Sequence, residues 1–298
     1  MFSAAVVGTG LIGTSIALAL RDQGIVPHLV DRDPEAARTA ADLGAGVVEF
    51  PREPVDLAVL AVPPQHVARV LKEYQLLGLA HDFTDVASVK VRPQREAAEL
   101  GCDLARFVGG HPMGGREQSG PLAAQRDLFR GRPWVLTPSA VSREAAVSRV
   151  GELAELCGAH PVVMTQSDHD RAVALTSHAP HVVATLLAAR LLSGDESQLR
   201  LSGQGLRDTT RIAGGDPGLW TDILGSNAAA VAEVLADFAT DLHTVVEALR
   251  DLGTRVPEEP RISTAQLTSA LVRGTQGRAR IPVPASGGLR LSGATSRG

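Results

Sequence analysis

Lysine is almost absent from this chain of 298 residues. Only Lys72 and Lys90 occur, although lysine and arginine together number 29. The scarcity leaves few candidates for a mechanism that depends on a lysine amine as nucleophile.

Cysteines and long apolar runs are also few. Cys102 and Cys157 show no spacing typical of a metal site, which favours free thiols and a cytoplasmic location. No stretch approaches about 18 uninterrupted apolar residues, and strand-like sequence begins near the first residue, so we expect neither a membrane span nor a signal peptide. A net charge of −4 gives no indication of a nucleic-acid-binding surface.

The motif around which the chain is organised lies in its first twenty residues. The apolar run 4–7 predicts a buried strand, residues 8–13 read G-x-G-x-x-G, and a helical apolar pattern follows. This order is typical of a dinucleotide-binding turn, in which the helix directs its free N–H groups at a pyrophosphate. An acid about 20 residues further on, Asp31, is placed to bind a ribose. We expect these residues to contact the dinucleotide: Gly8, Gly10, Leu11, Ile12, Gly13, Asp31, Arg32, Val62 and Pro63.

Strand and helix patterns alternate up to about residue 166, and only helical patterns follow. Strands are predicted near residues 47–50, 57–62, 83–87, 107–109, 134–137 and 162–164. The alternation indicates an α/β fold, with an N-terminal Rossmann-type dinucleotide-binding domain over residues 1–166. An all-α dimerisation and substrate domain is predicted over residues 167–275, with helices at 168–192, 197–210, 217–252 and 264–273. Its apolar helices favour a homodimer, and residues 276–298 are expected to form an irregular tail.

His111 is the sharpest catalytic candidate that the residues themselves indicate. It lies between glycines and a proline just after a predicted strand, and ligands bind beyond the carboxyl ends of parallel strands. Imidazole titrates near neutral pH, as a general base should. A histidine that only hydrogen-bonds its own loop remains the alternative. Ser88 follows another predicted strand end. The other histidines outside the helical pair below, His169 among them, are expected to be surface or structural residues.

In the helical part, His178 and His181 are three residues apart and share a helix face. That spacing can bind a metal, but the sequence offers no third ligand of matching geometry, so we expect a polar patch and no metal. Arg211 suits the bidentate capture of a carboxylate, although surface arginines are often only solvated.

Together these stretches resemble the prephenate/arogenate (cyclohexadienyl) dehydrogenase family of tyrosine biosynthesis. The matching motifs are G-T-G-L-I-G at 8–13, D-x-x-S-V-K at 85–90, G-H-P-M at 110–113, S-H-x-P-H at 177–181, and D-x-T-R-I at 208–212 followed by Asp216-Pro217 and Trp220. They occur in the family's order and span roughly residues 4–275.

The resemblance implies an NAD-dependent oxidative decarboxylation of prephenate, arogenate or both. His111 resembles the base that takes the substrate hydroxyl proton, and Ser88 resembles its hydrogen-bonding helper. Arg211 is similar to the arginine that holds a substrate carboxylate. The other residues implied on the substrate side are His181, His178, Trp220, Arg116 and Asp208.

Two departures from the family pattern bear on substrate choice and regulation. Arg116 stands where relatives can carry a small hydroxyl residue, and Ser202-Gly203-Gln204-Gly205 replaces a run that is often richer in glycine. The chain ends too soon after residue 280 for the regulatory ACT domain of some relatives, so we expect none.

Asp31 should accept hydrogen bonds from ribose hydroxyls and repel a 2′-phosphate, which favours NAD over NADP, although the neighbouring Arg32 can soften that preference. A β-hydroxyacid dehydrogenase, an imine reductase or a non-catalytic NAD-binding sensor remain alternatives. The β-hydroxyacid dehydrogenases use a lysine early in the helical domain, and this chain has no lysine beyond Lys90. We expect a small-molecule substrate and neither a nucleic acid nor a membrane as partner.

Overall fold

A seven-stranded sheet forms the first part of the protein, in a computed structural model that describes residues 2–114, 120–254 and 262–282. The strands are β1 (Ala4–Val7), β2 (His28–Val30), β3 (Val55–Leu60), β4 (Ala80–Asp85), β5 (Phe107–Pro112), β6 (Pro133–Thr137) and β7 (His160–Val163). Their order is β2-β1-β3-β4-β5-β6-β7, and only the β5–β6 pair is antiparallel. The predicted Rossmann-type sheet is therefore confirmed.

Helices cover both faces of this sheet and then continue alone to the end of the described chain. They are α1 (Leu11–Asp22), α2 (Pro34–Asp42), α3 (Val67–Leu76), α4 (Val91–Glu99), α5 (Glu144–Leu156), α6 (Gln166–Val173), α7 (Ala179–Arg190), α8 (Glu196–Leu199), α9 (Gln204–Thr210), α10 (Pro217–Ser226), α11 (Ala228–Thr254) and α12 (Ile262–Ala279). The helical second part is confirmed as well.

Two apolar layers bury the sheet. Ile16 of α1 and Leu153 of α5 pack with one set of strand residues, whereas Leu71 of α3 and Phe83 pack on the other side. Because both faces are covered, β1 and β3 read as nearly continuous apolar runs.

Several predicted boundaries are wrong. Residues 47–50 form no strand, since only Val47 bridges to His28 and Pro51 removes the next backbone donor. The predicted helix 197–210 is interrupted between Leu199 and Gln204, where Ser202 and Gly203 are poor helix formers.

The predicted helix 217–252 is also interrupted. It bends by 95° at Asn227, which follows the weak helix formers Gly225 and Ser226. Helix α12 continues through Ala279, past the predicted start of an irregular tail at residue 276. The last sixteen residues of that tail lie outside the described residues.

Helices α6 and α7 are joined by a π-helical turn, Ala174–His178, into one stretch from Gln166 to Ser193. Its length and composition would suffice to cross a membrane, as those of a core helix often do. Three polar side chains of this stretch, His169, Asp170 and His178, are at most 5% exposed within the protein. The stretch therefore packs its polar face into the interior.

The chain divides into two compact units, Met1–Val234 and Leu235–Gly298. The first holds the sheet and every cavity discussed below. In the second, Arg273 pairs with Asp241 at 2.9 Å, and apolar side chains such as Leu242 and Leu271 are exposed. The domain boundary near residue 166 stays a prediction from composition and pattern. Cys102 and Cys157 are free and buried.

Candidate active site

The glycine-rich turn between β1 and α1 is shaped by two crowded glycines and one open glycine. Gly8 has φ +98°, and a Cβ on it would lie 2.2 Å from the carbonyl oxygen of Ala61. A Cβ on Gly13 would lie 1.9 Å from the carbonyl oxygen of Gly8. A Cβ on Gly10 would meet nothing within 4 Å. Gly8 and Gly13 are thus required by the fold, whereas Gly10 borders open space.

The start of α1 is suited to bind a phosphate. Gly10 is its N-cap residue, and in the described residues no side chain caps its free N–H groups. The turn lines a cavity of about 510 Å³ with Asp31 and Arg32. An open cradle at a helix N-terminus, continuous with an acid at the end of β2, fits the pyrophosphate and ribose of a dinucleotide.

Thr9 fixes the direction of the Asp31 carboxylate. Its backbone N–H and its hydroxyl donate to Asp31 Oδ2 at 2.6 and 2.9 Å, and the Asp33 N–H donates to Oδ1 at 2.9 Å. Oδ1 has a lone pair to spare for a ribose hydroxyl. The role of Thr9 was not predicted, because a threonine inside a glycine-rich turn carries no sequence signal of its own.

A second cavity, of about 440 Å³, begins where the first ends. Gly10, Ala61, Val62 and Pro63 line both, so a dinucleotide can extend from one into the other. We call this second cavity the His111 pocket; it is also lined by Leu11, Ile12, Gly13, Ser88, His111, Pro112, Leu219 and Ile223. The structure therefore brings together most of the predicted cofactor residues and both predicted catalytic residues.

Behind this pocket, His111 is hydrogen-bonded to a residue that the sequence had indicated as merely structural. His111 Nδ1 lies 2.8 Å from His169 Nε2, and His169 Nδ1 lies 2.8 Å from Asp170 Oδ1. No hydrogen bond joins His111 to Ser88, although both are in the described part of the chain. The assignment of Ser88 as helper stays a prediction. The run Asp168-His169-Asp170 was the one signal in the sequence that could have indicated a role for His169.

A buried ion pair supports the strand end that carries His111. Lys90 Nζ lies 2.5 Å from Asp85 Oδ2 and donates to the carbonyl oxygen of Gly110, also at 2.5 Å. Asp85 Oδ1 accepts from the Gly110 N–H at 3.1 Å. Both backbone groups of the residue before His111 are therefore held by buried side chains. We call Asp85 and Lys90 the β4 ion pair.

Burial favours the neutral forms of His111, His178 and His181. The pKa of His111 is lowered well below its usual value, first by burial and then by the nearby His169, Lys90 and His178. Burial likewise lowers the pKa of His178 to about 4 and lowers that of His181. Burial also lowers the pKa of Lys90, against the opposing effect of Asp85. A neutral His111 can accept a proton at neutral pH.

His178, His181 and Trp220 lie together, and two of them line a cavity that is separate from the His111 pocket. His181 stacks on Trp220 with ring centroids 3.5 Å apart, and His178 meets the same indole edge-on at 6.1 Å. His181 and Trp220 line a cavity of about 260 Å³, which we call the His181 pocket. His181 Nδ1 has no hydrogen-bond partner among the described residues. Adjacent faces of α10 line the two pockets.

Other predicted substrate residues lie elsewhere or beyond the described chain. Arg211 begins an exposed turn and lines neither pocket, and Asp208 is exposed on α9, where it accepts a hydrogen bond from Gln204 at 2.7 Å. Arg116 lies outside the described residues. The substrate roles of these three stay predictions. No cluster of metal-binding side chains occurs among the described residues.

Two family models match the chain along most of its length. Residues 16–163 match the nucleotide-binding domain of prephenate dehydrogenase, and residues 165–256 match the dimerization domain of prephenate dehydrogenase.

Individual relatives agree with this match. The chain is 47% identical over 285 residues to a protein of Streptomyces niveus described as probable prephenate dehydrogenase NovF. The aligned region covers 95% of this chain and 78% of that protein. The prephenate dehydrogenase of A. aeolicus, solved with hydroxyphenyl propionate and NAD+, is 28% identical with a TM-score of 0.80, covering 94% and 98% of the two chains. Synechocystis arogenate dehydrogenase is 26% identical with a TM-score of 0.73, covering 93% and 99%. This chain therefore belongs to the prephenate dehydrogenase family and is an oxidoreductase of the prephenate/arogenate dehydrogenase type.

Proposed function

We propose that this protein catalyses the NAD-dependent oxidative decarboxylation of prephenate, arogenate or both, in tyrosine biosynthesis. The observation that carries the proposal is the His111 pocket, where a neutral imidazole shares a cavity with the glycine-rich turn. The two cavities that the turn lines give an extended dinucleotide room to reach His111. The family assignment sets aside the hydroxyacid dehydrogenase and imine reductase alternatives.

The chemistry requires one base and good orientation. NAD+, when bound, accepts the hydride from the carbinol carbon of the cyclohexadienol. His111 accepts the proton of the same carbon's hydroxyl, carbon dioxide leaves, and the ring becomes aromatic. The hydroxyl oxygen ends as the oxygen of a phenol, so His111 can return its proton and the reaction releases no net proton. A positioned general base contributes about 10²–10⁴-fold to the rate.

The cofactor preference follows from Asp31. Its carboxylate, held by Thr9, accepts ribose hydroxyls and repels a 2′-phosphate, which supports NAD over NADP. Arg32 is exposed beside it and reduces the discrimination.

Substrate binding is assigned to the remaining predicted residues. Arg211 would hold a substrate carboxylate, and the stacked His181 and Trp220 would contact the substrate with His178 behind them. Prephenate carries a keto group in its side chain, whereas arogenate carries an ammonium. Arg116 and Asp208 are the proposed residues that discriminate between these two side chains.

A homodimer is proposed from the helical part of the chain. Residues 165–256 match a dimerization domain, and α11 and α12 expose apolar side chains. Exposed apolar side chains on these two helices include Phe238, Leu242, Leu249, Leu252, Leu271 and Val272. Sedimentation of the purified chain at micromolar concentration should give twice the monomer mass. The cytoplasmic location stays a prediction.

The deciding experiment follows NADH absorbance with purified protein, NAD+, and either prephenate or arogenate. His111→Asn should lower kcat by about a hundredfold or more, the scale of a general base. The matched control is His160→Gln, which changes an exposed histidine on β7.

Titration of NAD+ against the same three proteins separates binding from chemistry. Turnover of one substrate, lost in His111→Asn and kept in His160→Gln, supports the proposal. NAD+ binding with neither substrate turned over would leave a non-catalytic sensor, and the proposed reaction would be wrong.

A further inference from the structure

Three side chains form a hydrogen-bonded row behind the His111 pocket. His111 stands at the end of β5, and His169 and Asp170 stand on α6. The two imidazole rings meet edge to face, with centroids 5.0 Å apart and an interplanar angle of 70°. His169 is 1% exposed and Asp170 is 5% exposed. We call these three residues the His–His–Asp row.

Asp170 is held as a charged acceptor. The Lys90 N–H donates to Oδ1 at 2.8 Å, and the Val91 N–H donates to Oδ2 at 3.0 Å. These are the N-cap and first residue of α4, whose N-terminal dipole also favours a negative charge. Asn227 Nδ2 donates to the backbone carbonyl of Asp170 at 2.8 Å. The carboxylate is thus fixed by the start of α4, the backbone of Asp170 is fixed by Asn227, and the charged carboxylate can only accept hydrogen bonds.

The proton positions follow from this anchor. Because a carboxylate has no proton to give, His169 must carry its proton on Nδ1. A neutral His169 then offers Nε2 as an acceptor, so His111 donates from Nδ1. The only unprotonated nitrogen of His111 is Nε2, the atom left for the pocket. The network, rather than observed hydrogens, assigns this tautomer.

The charged and titratable groups around the row come from three elements. Lys90, at the start of α4, is paired with Asp85 of β4, and the π-helical turn places His178 nearby. Asn227 Nδ2 lies 3.2 Å from His178 Nδ1, which makes that nitrogen an acceptor and leaves His178 neutral. Asp170 is therefore the negatively charged member of the row, in direct hydrogen-bond contact with His169.

We propose that His169 and Asp170 are positioning residues for the reaction, which hold His111 in the Nδ1–H tautomer and share the positive charge that it gains. The inference rests on the proposed function for its kinetic consequence, but the tautomer itself does not. When His111 Nε2 takes the substrate proton, the Nδ1–H bond to His169 strengthens and the charge is drawn toward Asp170. Return of the proton to the phenol oxygen restores the neutral row.

Two substitutions of His169 separate the hydrogen bond from the charge. In His169→Gln, the side-chain carbonyl reaches the position of Nε2 and can accept from His111, but it cannot take up charge. In His169→Phe, no acceptor remains. We expect kcat to fall about tenfold in His169→Gln and about a hundredfold or more in His169→Phe, with KM for NAD+ within twofold of the parent. His160→Gln is again the control.

Nitrogen-15 NMR of histidine-labelled protein reads the tautomer directly and requires no turnover. The His111 resonances, identified by their loss in His111→Asn, should show a protonated Nδ1 and a free Nε2 in the parent protein. His169→Phe should show a mixture of both tautomers, and His169→Gln should keep the parent pattern.

A protonated Nε2 in the parent would overturn the inference, as would a kcat for His169→Phe within threefold of the parent. If His169→Phe does not fold, the Gln variant decides, because a parent-like kcat there contradicts charge sharing. If the parent turns over neither substrate, the proposed function fails while the NMR arm still tests the tautomer.

Discussion

Strand β4 carries a buried carboxylate near each end, and the two are paired in different ways. At the amino end, Asp82 is fully buried and pairs with Arg143 at 2.6 Å and with Arg149, whose side chains are 51% and 27% exposed. At the carboxyl end, Asp85 pairs with Lys90, and both side chains are 1% exposed.

The difference between the two ends is consistent with the proposed site at the carboxyl end. At the amino end, Arg143 and Arg149 reach the sheet from α5, and their side chains stay partly exposed to solvent. The β4 ion pair is dry and holds both backbone groups of Gly110, directly before His111. A buried ion pair is weak evidence for stability, since apolar replacements often do as well. We infer that this pair is retained to position the base.

The largest expected effect is that of Lys90→Met. It leaves the Asp85 carboxylate buried without its cation, which should lower the free energy of unfolding by about 3–5 kcal/mol. Denaturant unfolding measures this, and kcat should fall as well because the Gly110 carbonyl loses its donor.

The chain offers a matched control in its other lysine. Lys72 donates to the Gly101 carbonyl at 2.9 Å in an exposed contact, so Lys72→Met should change stability by less than about 1 kcal/mol. Equal unfolding midpoints for the two variants would show that the β4 ion pair has no special role.

Next in size is Gly10→Ala, which tests whether the carboxyl edge is where the cofactor binds. Its Cβ would meet no protein atom within 4 Å, so the fold should be kept. The methyl group would occupy the cradle at the start of α1, so the Kd for NAD+ should rise tenfold or more, about 1.4 kcal/mol. Calorimetric titration measures it. An unchanged Kd would place the pyrophosphate elsewhere.

Acidification should destabilise the structure around the carboxyl end of β4 before it affects the amino end. His178 is neutral in the folded protein, because burial lowers its pKa to about 4, and unfolding restores a value near 6.5. Between those two values the unfolded chain binds more protons, so stability is complete above about pH 6.5 and falls as the pH falls toward 4. From pH 7 to 5.5, His178 alone should remove about 1 kcal/mol.

His111 and His181 shift the pH dependence in the same direction. Denaturant unfolding at several pH values gives the slope, and His178→Gln should make it shallower. Because the pKa of His111 is lowered, this residue should stay unprotonated at pH 6.5. The acidic limb of kcat/KM should therefore lie below pH 6.5. A stability that rises on acidification would contradict the assignment of neutral, buried histidines.

The sequence predicted best where a local pattern decides the structure. The turn at residues 8–13 could be predicted because glycine spacing, strand and helix are all short-range. The place of His111 near a strand end could be predicted as well, although β5 continues to Pro112. The false strand at 47–50 had the right apolar residues but no neighbouring strand to pair with beyond Val47. Local composition does not show which segments reach a partner.

The partners of His111 illustrate the same limit in the site. His169 lies 58 residues further along the chain, and its hydrogen bond exists only because α6 packs under the end of β5. The histidine between two aspartates was a signal in the sequence, but it did not show which distant residue would be its hydrogen-bond partner. Arg211 shows the reverse case, because its motif was recognisable but the structure places it on an exposed turn outside both pockets.

The smallest expected effect is that of Arg149→Met, at the amino end of β4. Asp82 keeps Arg143 at 2.6 Å, so the buried carboxylate still has a cation, and the loss of the second should cost about 1 kcal/mol in denaturant unfolding. In the part of the chain that the structure describes, no side-chain hydrogen bond or ion pair joins Asp82, Arg143 or Arg149 to a residue lining the His111 pocket, so kcat, KM and the acidic limb of the pH profile should match the parent. Arg149→Lys, which restores a cation, should recover part of the stability. A fall in kcat with the fold intact would mean that the amino end also positions the base, and the contrast between the two ends of β4 would be lost.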